Sequence, residues 1–168
     1  MIYDLVDCKD KVLKESAIDF DFKNPPEDSV DFACNLAETM LEHHGIGLAA
    51  NQCGFPYRVF VLQGDGDILP FFNPRIVDVS EETILLEEGC LSFPGLFVKV
   101  KRPRKIKIRF TEPDGQTQTR TYDGMTARAI QHEMDHLNGI NYQQRSSRIH
   151  LEQARNAFKK RLRKQSRK

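Results

Sequence analysis

Six short segments between residues 58 and 122 have the composition of β-strands, and they constrain the fold more than any other feature of this chain. Each is rich in β-branched or apolar residues and is bounded by residues that favour turns. The segments are RVFVLQ, RIVDVS, ETILLEE, LFVKV, KIKIRF and TQTRTY. In KIKIRF, Ile106, Ile108 and Phe110 share one face, with basic residues between them. A Pro-Asp-Gly turn at 113–115 joins this segment to the next as a hairpin, so we expect several antiparallel strands.

Helical spacing appears on both sides of this β-rich region. Two prolines followed by Glu27, Asp28 and Ser29 form a helix-start signal, and the apolar series after them stops before Gly45. Its members are Val30, Ala33, Ala37, Met40 and Leu41. A second series, which ends at Gly139, consists of Ala127, Ile130, Met134 and Leu137. The order of helix, antiparallel strands and helices predicts an α+β fold, and 168 residues predict a single domain.

The C-terminal residues 145–168 differ in charge from the rest of the chain. They hold ten of the 25 Lys and Arg but one of the 24 Asp and Glu, so their net charge is +9 and that of the remainder is −8. We expect a helix from about Ser147, and its predicted buried line is Leu151, Ala154, Phe158 and Leu162. A basic tail of this kind forms either a solvated helix face or a contact with a polyanion.

Composition also indicates the compartment. No stretch approaches the roughly 18 apolar residues of a membrane span. The first ten residues carry acids and lack the features of a secretory signal or transit peptide. The four cysteines lack paired spacing, which is typical of free thiols in a reducing compartment. We therefore expect a cytoplasmic protein.

The stretch QHEMDH, residues 131–136, lies within the second helical series. His132 and His136 are four positions apart, so on a helix they share one face and can reach one metal ion. Glu133 between them can reach a water beside that ion. The structural alternative is a pair of ordinary surface or core histidines, but this pattern arises by chance in roughly one chain in a hundred.

A catalytic site of the zinc type needs a third protein ligand and one open position. Downstream, the pattern has Tyr142 where a third His would stand. His150 and Glu152 lie in the basic tail and are poor candidates. Upstream, Cys90 in EEGCLSFPG follows a strand-like run, and a thiolate is a strong ligand for zinc or ferrous iron. The other cysteines are interpreted as small buried hydrophobes: Cys8, Cys34 and Cys53.

The segment GIGLAANQ, residues 45–52, fits a loose dinucleotide-binding fingerprint. That fingerprint needs a strand before it and a helix after it, whereas here a helix precedes it. The alternative is a small-residue segment that lets the backbone approach a ligand and then presents Gln52. The side-chain amide of Gln52 could donate a hydrogen bond to a developing oxyanion.

Taken together, GIGLAANQ, EGCLS and QHEMDH resemble the signature motifs of the peptide deformylases, in the same order. The matching positions are Gly45, Gly47, Ala49, Ala50, Gln52, Glu88, Gly89, Cys90, Leu91, Ser92, Gln131, His132, Glu133, Asp135, His136, Leu137 and Gly139. The resemblance spans nearly the whole chain. It implies an α+β domain with antiparallel sheets wrapped around the central His-Glu-x-x-His helix. We expect a catalytic domain over 1–146 and a basic C-terminal helix over 147–168, packed on the same domain.

The resemblance implies a hydrolase that removes the formyl group from the N-terminal formyl-methionine of newly synthesised proteins. One divalent metal ion would be held by Cys90, His132 and His136, natively Fe²⁺, with Zn²⁺ or Ni²⁺ able to take its place. Metal-bound hydroxide would attack the formyl carbon, with Glu133 as general base and then acid. The oxyanion would be held by the metal, the Gln52 side chain and the Leu91 backbone N–H.

Peptide binding is implied in the same way. The substrate-binding positions would be Ile46, Gly47, Leu86, Glu88, Gly89, Met125 and Ala129. The chain departs from the family pattern at Arg128, where an apolar residue is usual, and at Phe97, where many members carry Arg. Lys9 replaces a proline of an early family pattern. These departures concern side-chain selectivity rather than the type of reaction.

Two rival functions follow from the same residues. A zinc endoprotease would need a third ligand after His136, and the chain offers no good one. A nucleic-acid-binding module would use KKRLRK, residues 159–164, but base stacking needs interleaved aromatic residues, and Phe158 is the only aromatic in the tail. We therefore expect nascent formyl-Met polypeptides as the substrate and a monomer without membrane contact. A further expected contact joins the tail to the ribosome surface, as is thought for some family members.

Overall fold

The computed structural model describes residues 1–166, which form three α-helices and seven β-strands. In chain order the elements are α1 (Ser29–Glu42), β1 (Gly47–Ala49), β2 (Val59–Gln63), β3 (Ile68–Val79), β4 (Thr83–Cys90), β5 (Phe93–Pro103), β6 (Lys105–Thr111), β7 (Thr117–Asp123), α2 (Gly124–Leu137) and α3 (Arg148–Gln165). The α+β class and the strand positions are therefore confirmed. The short strand β1, inside GIGLAANQ, was not predicted.

The strands form two sheets, and every pair of neighbours within them is antiparallel. One sheet has five strands in the order β1-β2-β3-β6-β7, and the other is the hairpin of β4 and β5. The predicted alternation in β6 is confirmed, because Ile106, Ile108 and Phe110 are buried between exposed basic residues. The β6–β7 hairpin turns where the Pro-Asp-Gly sequence predicts it.

Helix α2 packs its apolar face against the five-stranded sheet. Ala127, Ile130 and Leu137 are fully buried and belong to one cluster with Phe71 of β3 and Ile108 of β6. Helix α2 follows β7 without a loop, because Gly124 takes a φ of 62° that permits the sharp change of direction. Because this apolar stripe anchors α2 on the sheet, it also fixes the direction in which the two histidines on the other side of the helix point.

Helix α1 begins where the sequence predicts, and its buried face is partly the predicted one, because Ala33 and Met40 lie in the core. The Asp28 side chain caps the helix by accepting hydrogen bonds from the backbone N–H groups of the first turn. Val30 and Leu41 are 52% and 48% exposed. The helix is instead anchored by Phe32 and Leu36, which pack with Phe20, Met40, Leu48 and Val59 in a second cluster. Large aromatic and aliphatic side chains bury more apolar area there than the predicted line would.

Helix α3 begins after Ser147, as predicted, and lies against β5. Phe158 approaches Gly95, and the Arg161 guanidinium donates a 2.7 Å hydrogen bond to the Gly95 carbonyl. The residues of the predicted buried line are less buried than predicted. Leu151, Ala154 and Phe158 are only half-buried, and Leu162 is 48% exposed. The last two residues of the predicted 147–168 helix lie outside the described part of the chain. Among the described helices, none combines the length and the apolar character needed to cross a membrane.

Candidate metal centre

The two histidines of α2 lie side by side at the edge of the core, as their spacing predicts. His132 and His136 are 8% and 4% exposed, and their ring centroids are 5.0 Å apart. Each ring is held on the polar side of a helix whose opposite side is buried against the five-stranded sheet. Their orientation is therefore set by the packing of α2.

Cys90 completes the group from a different sheet. It is the last residue of β4, where the β4–β5 hairpin turns tightly to Phe93. Its Sγ lies 3.2 Å from His136 Nε2, and one ligand atom from each of Cys90, His132 and His136 falls within 4.8 Å of the others. Cys8, Cys34 and Cys53 are also free thiols, but none of them belongs to this group. Contrary to the prediction of small buried residues, Cys34 is exposed and Cys8 and Cys53 are half-buried.

The Glu88 carboxylate contacts the His132 ring at Nδ1 and fixes its orientation. Its Oε2 lies 3.0 Å from His132 Nδ1, so this ring nitrogen donates to the carboxylate and leaves Nε2 for another partner. Arg102 and Arg128 also donate to Glu88, with distances of 2.6 to 2.9 Å. Burial alone would raise the pKa of Glu88, but the hydrogen bonds from His132 and Arg102 outweigh it and lower the pKa to about 2. Glu88 is therefore ionised at all physiological pH values.

A buried ion-pair network extends from Glu88 beneath the centre. Arg102 bridges Glu88 and Asp135, and Arg145 pairs with the other side of Asp135 at 2.6 Å. Sequence analysis assigned no role to Arg102 or Arg145. The signal was present in β5, where Arg102 follows Val98 and Val100 at every second position and therefore shares their buried face.

The two imidazoles differ in proton affinity in the metal-free chain. Burial disfavours the charged form of His132, but hydrogen bonds to Cys90 and Glu88 raise its pKa to about 10. Burial and the nearby positive charges of His132 and Arg102 hold the pKa of His136 well below its usual value. The backbone carbonyl of His136 accepts a 2.6 Å hydrogen bond from the Asn51 side chain, a contact that sequence analysis also missed.

Glu133 is the one carboxylate in the centre without a counter-ion. It is 4% exposed, and its Oε2 has no hydrogen-bond partner among the described residues. Burial raises its pKa to about 7, partly offset by the positive charge of His132. The carboxylate packs directly on Gly47, where a Cβ atom would collide with Oε1. A glycine in β1 is therefore what allows Glu133 to occupy this position.

Gln52 approaches the group from the segment after β1. Its Oε1 accepts a 2.9 Å hydrogen bond from the Ala49 N–H, which fixes the orientation of the amide. Its Nε2 then points at the centre and donates to Ser92 Oγ at 3.0 Å and to Cys90 Sγ at 3.6 Å. Leu91, next to Cys90, packs against Gly45. The three motif segments thus meet at one place.

An open cavity of about 340 Å³ leads to this centre. Six of the seven predicted substrate-binding residues line it, namely Ile46, Gly47, Glu88, Gly89, Met125 and Ala129. Leu86 is not among the lining residues, although it is 40% exposed on the same strand, β4. Arg128 and Phe97, the two departures from the expected pattern, both line the cavity. A larger cavity of about 560 Å³ touches His136 but neither Cys90 nor Glu133, so the smaller one serves the centre.

These residues fit a single divalent metal ion. One thiol and two imidazoles converge, His132 keeps Nε2 free for a metal ion, and Cys90 and His132 line the open cavity from which a water or substrate would reach it. The unpartnered Oε2 of Glu133 is the orphaned polar atom expected where an ordered water beside a metal completes the hydrogen bonding. Glu88 supplies the outer hydrogen bond that metal-binding histidines usually have.

Comparisons with known proteins agree with this arrangement. A family model described as polypeptide deformylase matches residues 2–152. The peptide deformylase of Natranaerobius thermophilus is 42% identical over 120 residues, which cover 71% of this chain and 77% of that protein. The alignment with the peptide deformylase of Thermotoga petrophila, also 42% identical, covers 62% of this chain and 64% of that protein. The solved peptide deformylase of Thermotoga maritima superposes with a TM-score of 0.83 at 35% identity, covering 88% of this chain and 99% of that one.

Proposed function

The chain belongs to the polypeptide deformylase family, and we propose that it hydrolyses the formyl group from the N-terminal formyl-methionine of newly synthesised proteins. The observation that carries this proposal is the meeting of Cys90, His132 and His136 beside Glu133, whose carboxylate has an unpartnered oxygen. The site lies at the end of an open cavity of a size that holds one side chain and its backbone. The substrate is a formamide, so the reaction is an amide hydrolysis.

Cys90, His132 and His136 would hold the metal. A divalent ion bound there lowers the pKa of a water ligand toward neutrality and polarises the carbonyl oxygen. We assign Fe²⁺ as the native ion, because the thiolate suits a soft ferrous centre, and Zn²⁺ or Ni²⁺ can use the same donors. Glu88 keeps His132 in the tautomer that leaves Nε2 for the metal.

Glu133 moves the proton. Its Oε2 takes a proton from the attacking water. It later delivers this proton to the amine nitrogen, so that the C–N bond breaks and formate and the free amine are released. Burial raises the pKa of this carboxyl above its usual value, which makes the carboxylate a stronger base toward the attacking water. Because no arginine within residues 1–166 pairs with Glu133, the proton can be exchanged without breaking an ion pair.

Gln52 and Leu91 stabilise the oxyanion that forms at the formyl carbon. The Gln52 amide is oriented in advance by Ala49, so its N–H groups are aimed at the centre before substrate binds. In the absence of substrate these N–H groups donate to Ser92 and Cys90, and the substrate oxygen replaces the Ser92 hydroxyl as acceptor. We assign the second donor to the backbone N–H of Leu91, which lies in the turn after Cys90.

The peptide backbone binds along Gly45–Gly47 and the residues before Cys90, and Ile46 and Leu86 belong to the pocket for its first side chain. Its first side chain enters the cavity beside Met125 and Ala129 of α2. The Glu88 carboxylate is already used by His132 and two arginines, so only its backbone is left for the peptide. We assign residues 1–146 to the catalytic unit and 147–168 to the basic helix packed on it.

The basic helix α3 is proposed as a contact with the ribosome surface, in a cytoplasmic and monomeric enzyme. Lys159, Lys160, Arg163 and Lys164 are all exposed, whereas Arg161 is held by Gly95. Like charges at this density repel one another unless a polyanion is near, and ribosomal RNA is a polyanion close to emerging formylated chains. Replacing these four residues by Gln should remove salt-sensitive co-sedimentation with ribosomes and leave turnover of short peptides unchanged. Equal co-sedimentation of both proteins at low salt would contradict the contact.

The activity is tested by formate release from formyl-Met-Ala-Ser with anaerobically prepared protein of measured metal content. We expect one metal ion per chain, iron in the native preparation, and turnover in proportion to occupancy. Cleavage of internal peptide bonds without formate release would instead indicate an endoprotease. Fully metallated protein that releases no formate would refute the proposed reaction.

A further inference from the structure

Arg128 is a buried arginine inside the cavity that leads to the centre. It is 5% exposed, yet it lines the cavity together with Met125 and Ala129 of the same helix. A buried guanidinium requires hydrogen-bond acceptors, because an unpaired charge away from water is costly. Arg128 has three: one amino group donates to Glu88 Oε1 at 2.7 Å and to the Val100 carbonyl at 3.0 Å, and the other donates to the Ile84 carbonyl at 2.5 Å.

These partners fix the Arg128 side chain in the wall of the cavity. Arg128 belongs to α2, whereas the carbonyls that it contacts belong to Ile84 of β4 and Val100 of β5. The guanidinium therefore lies between α2 and the β4–β5 hairpin. Met125, one helical turn earlier, is 59% exposed and forms the rim. Because Met125 and Arg128 line the same cavity, a first side chain that fills the cavity can contact Arg128.

The guanidinium retains donors for such a side chain. It carries five N–H groups, and the three hydrogen bonds use three of them. Nε–H and one N–H of the second amino group have no acceptor among the described residues.

We propose that Arg128 makes the cavity selective for first side chains that end in a hydrogen-bond acceptor, so that formyl peptides beginning with methionine sulfoxide are substrates alongside formyl-methionine peptides. This selectivity rests on the proposed deformylase function. The thioether sulfur of methionine is a weak acceptor and the sulfoxide oxygen a strong one, whereas norleucine has the same shape and no acceptor. A site built around unpaired donors rejects the analogue that leaves them unpaired.

The experiment compares kcat/KM for three peptides that differ only in the first side chain: formyl-methionine, formyl-methionine sulfoxide and formyl-norleucine, each followed by Ala-Ser. For the unchanged protein we expect the sulfoxide peptide to exceed the norleucine peptide by at least ~10-fold, the effect of one hydrogen bond from a charged donor. Arg128→Leu should reverse this order, because the sulfoxide would then be buried without a partner. Arg128→Lys should keep the sulfoxide preference, since it keeps a charged donor.

Arg104→Leu is the matched control. Arg104 is exposed on the surface, where it pairs with Glu82 and Asp123, so removing it should leave the ratios as they are. A sulfoxide peptide hydrolysed no faster than the norleucine peptide by the unchanged protein would overturn the proposal, even if Arg128→Leu does not fold. The same holds if Arg128→Leu folds and retains the preference. If none of the three peptides releases formate, the deformylase function itself is refuted, which is a different outcome.

Discussion

Replacing Glu133 by Gln should separate metal binding from catalysis and should make the metal-free protein more stable at neutral pH. Glu133 is adjacent to His132 but is not one of the three converging ligands, so Gln leaves the donor set intact. The amide cannot take a proton from water, and loss of a general base costs about 10²- to 10⁴-fold in rate. The stability gain follows from the burial that also raises the pKa of Glu133 to about 7.

The sign and size of the gain follow from proton linkage. In the folded chain Glu133 keeps its proton to about pH 7, whereas in the unfolded chain it loses it near pH 4.5. Between these values the folded state binds more protons, so the free energy of unfolding falls as the pH rises. One pKa unit corresponds to about 1.4 kcal/mol, so the full penalty is about 3 kcal/mol and is present above pH 7. Glutamine, which is neutral and of equal size, carries no such penalty.

The assay is urea unfolding of both metal-free proteins at pH 5 and pH 8. We expect an advantage for Glu133→Gln of less than about 1 kcal/mol at pH 5 and of about 3 kcal/mol at pH 8. The metallated variant should contain as much metal as the unchanged protein and release formate at least about 100-fold more slowly. An advantage that is the same at both pH values would refute the buried, unpaired state of Glu133, and near-normal turnover would refute its role in proton transfer.

Three other predictions follow from the same structure. Cys90→Ser should bind metal more weakly in competition with a chelator, because a hydroxyl is a poor substitute for a thiolate. Cys34→Ser is the control and should bind metal normally, because Cys34 is exposed and outside the ligand group. Hydrogen peroxide should inactivate the iron-loaded protein faster than the zinc-loaded one, since ferrous iron and its thiolate are both oxidised; equal rates would contradict iron chemistry at an accessible site. Deletion of Phe158–Lys168 should change the rate of formate release from short peptides by no more than a few-fold and abolish salt-sensitive co-sedimentation with ribosomes. If the full-length and truncated proteins pellet with ribosomes equally at low salt, the tail has only a structural role.

The sequence predicts the elements of this fold better than it predicts their buried faces. Helix α2 was assigned correctly in position and face, because its apolar residues recur along a single line. In α1, both the line through Val30 and the line through Phe32 have helical spacing. The choice between them is made by the sheet on which the helix packs, which lies elsewhere in the chain. Helix α3 is half-buried because it covers only one face of β5, and local spacing does not indicate how much of a face is covered.

The sequence predicts the metal ligands and includes Glu88 and Asp135 in the same motifs, but it does not predict the arginines that pair with these two carboxylates. A helical His pair is a local pattern, and the position of Cys90 at the end of a strand supported its choice. The bridge from Arg102 to Asp135 joins residues 33 positions apart on different elements, so no local pattern indicates it. Arg128 was noted only as a departure from the expected residue. Its three acceptors, and therefore its place in the cavity, depend on how α2 faces β4 and β5.

The central claim, that Cys90 and the two histidines of α2 hold one metal ion with an open fourth position, is tested most directly by X-ray absorption spectroscopy of the protein loaded with one equivalent of Zn²⁺. The account predicts one sulfur at about 2.3 Å and two imidazole nitrogens at about 2.0 to 2.1 Å, with one further light atom. In Cys90→Ser the sulfur shell should disappear and the imidazole signals should remain. A zinc shell without sulfur in the unchanged protein, or with more than one sulfur, would contradict the assignment.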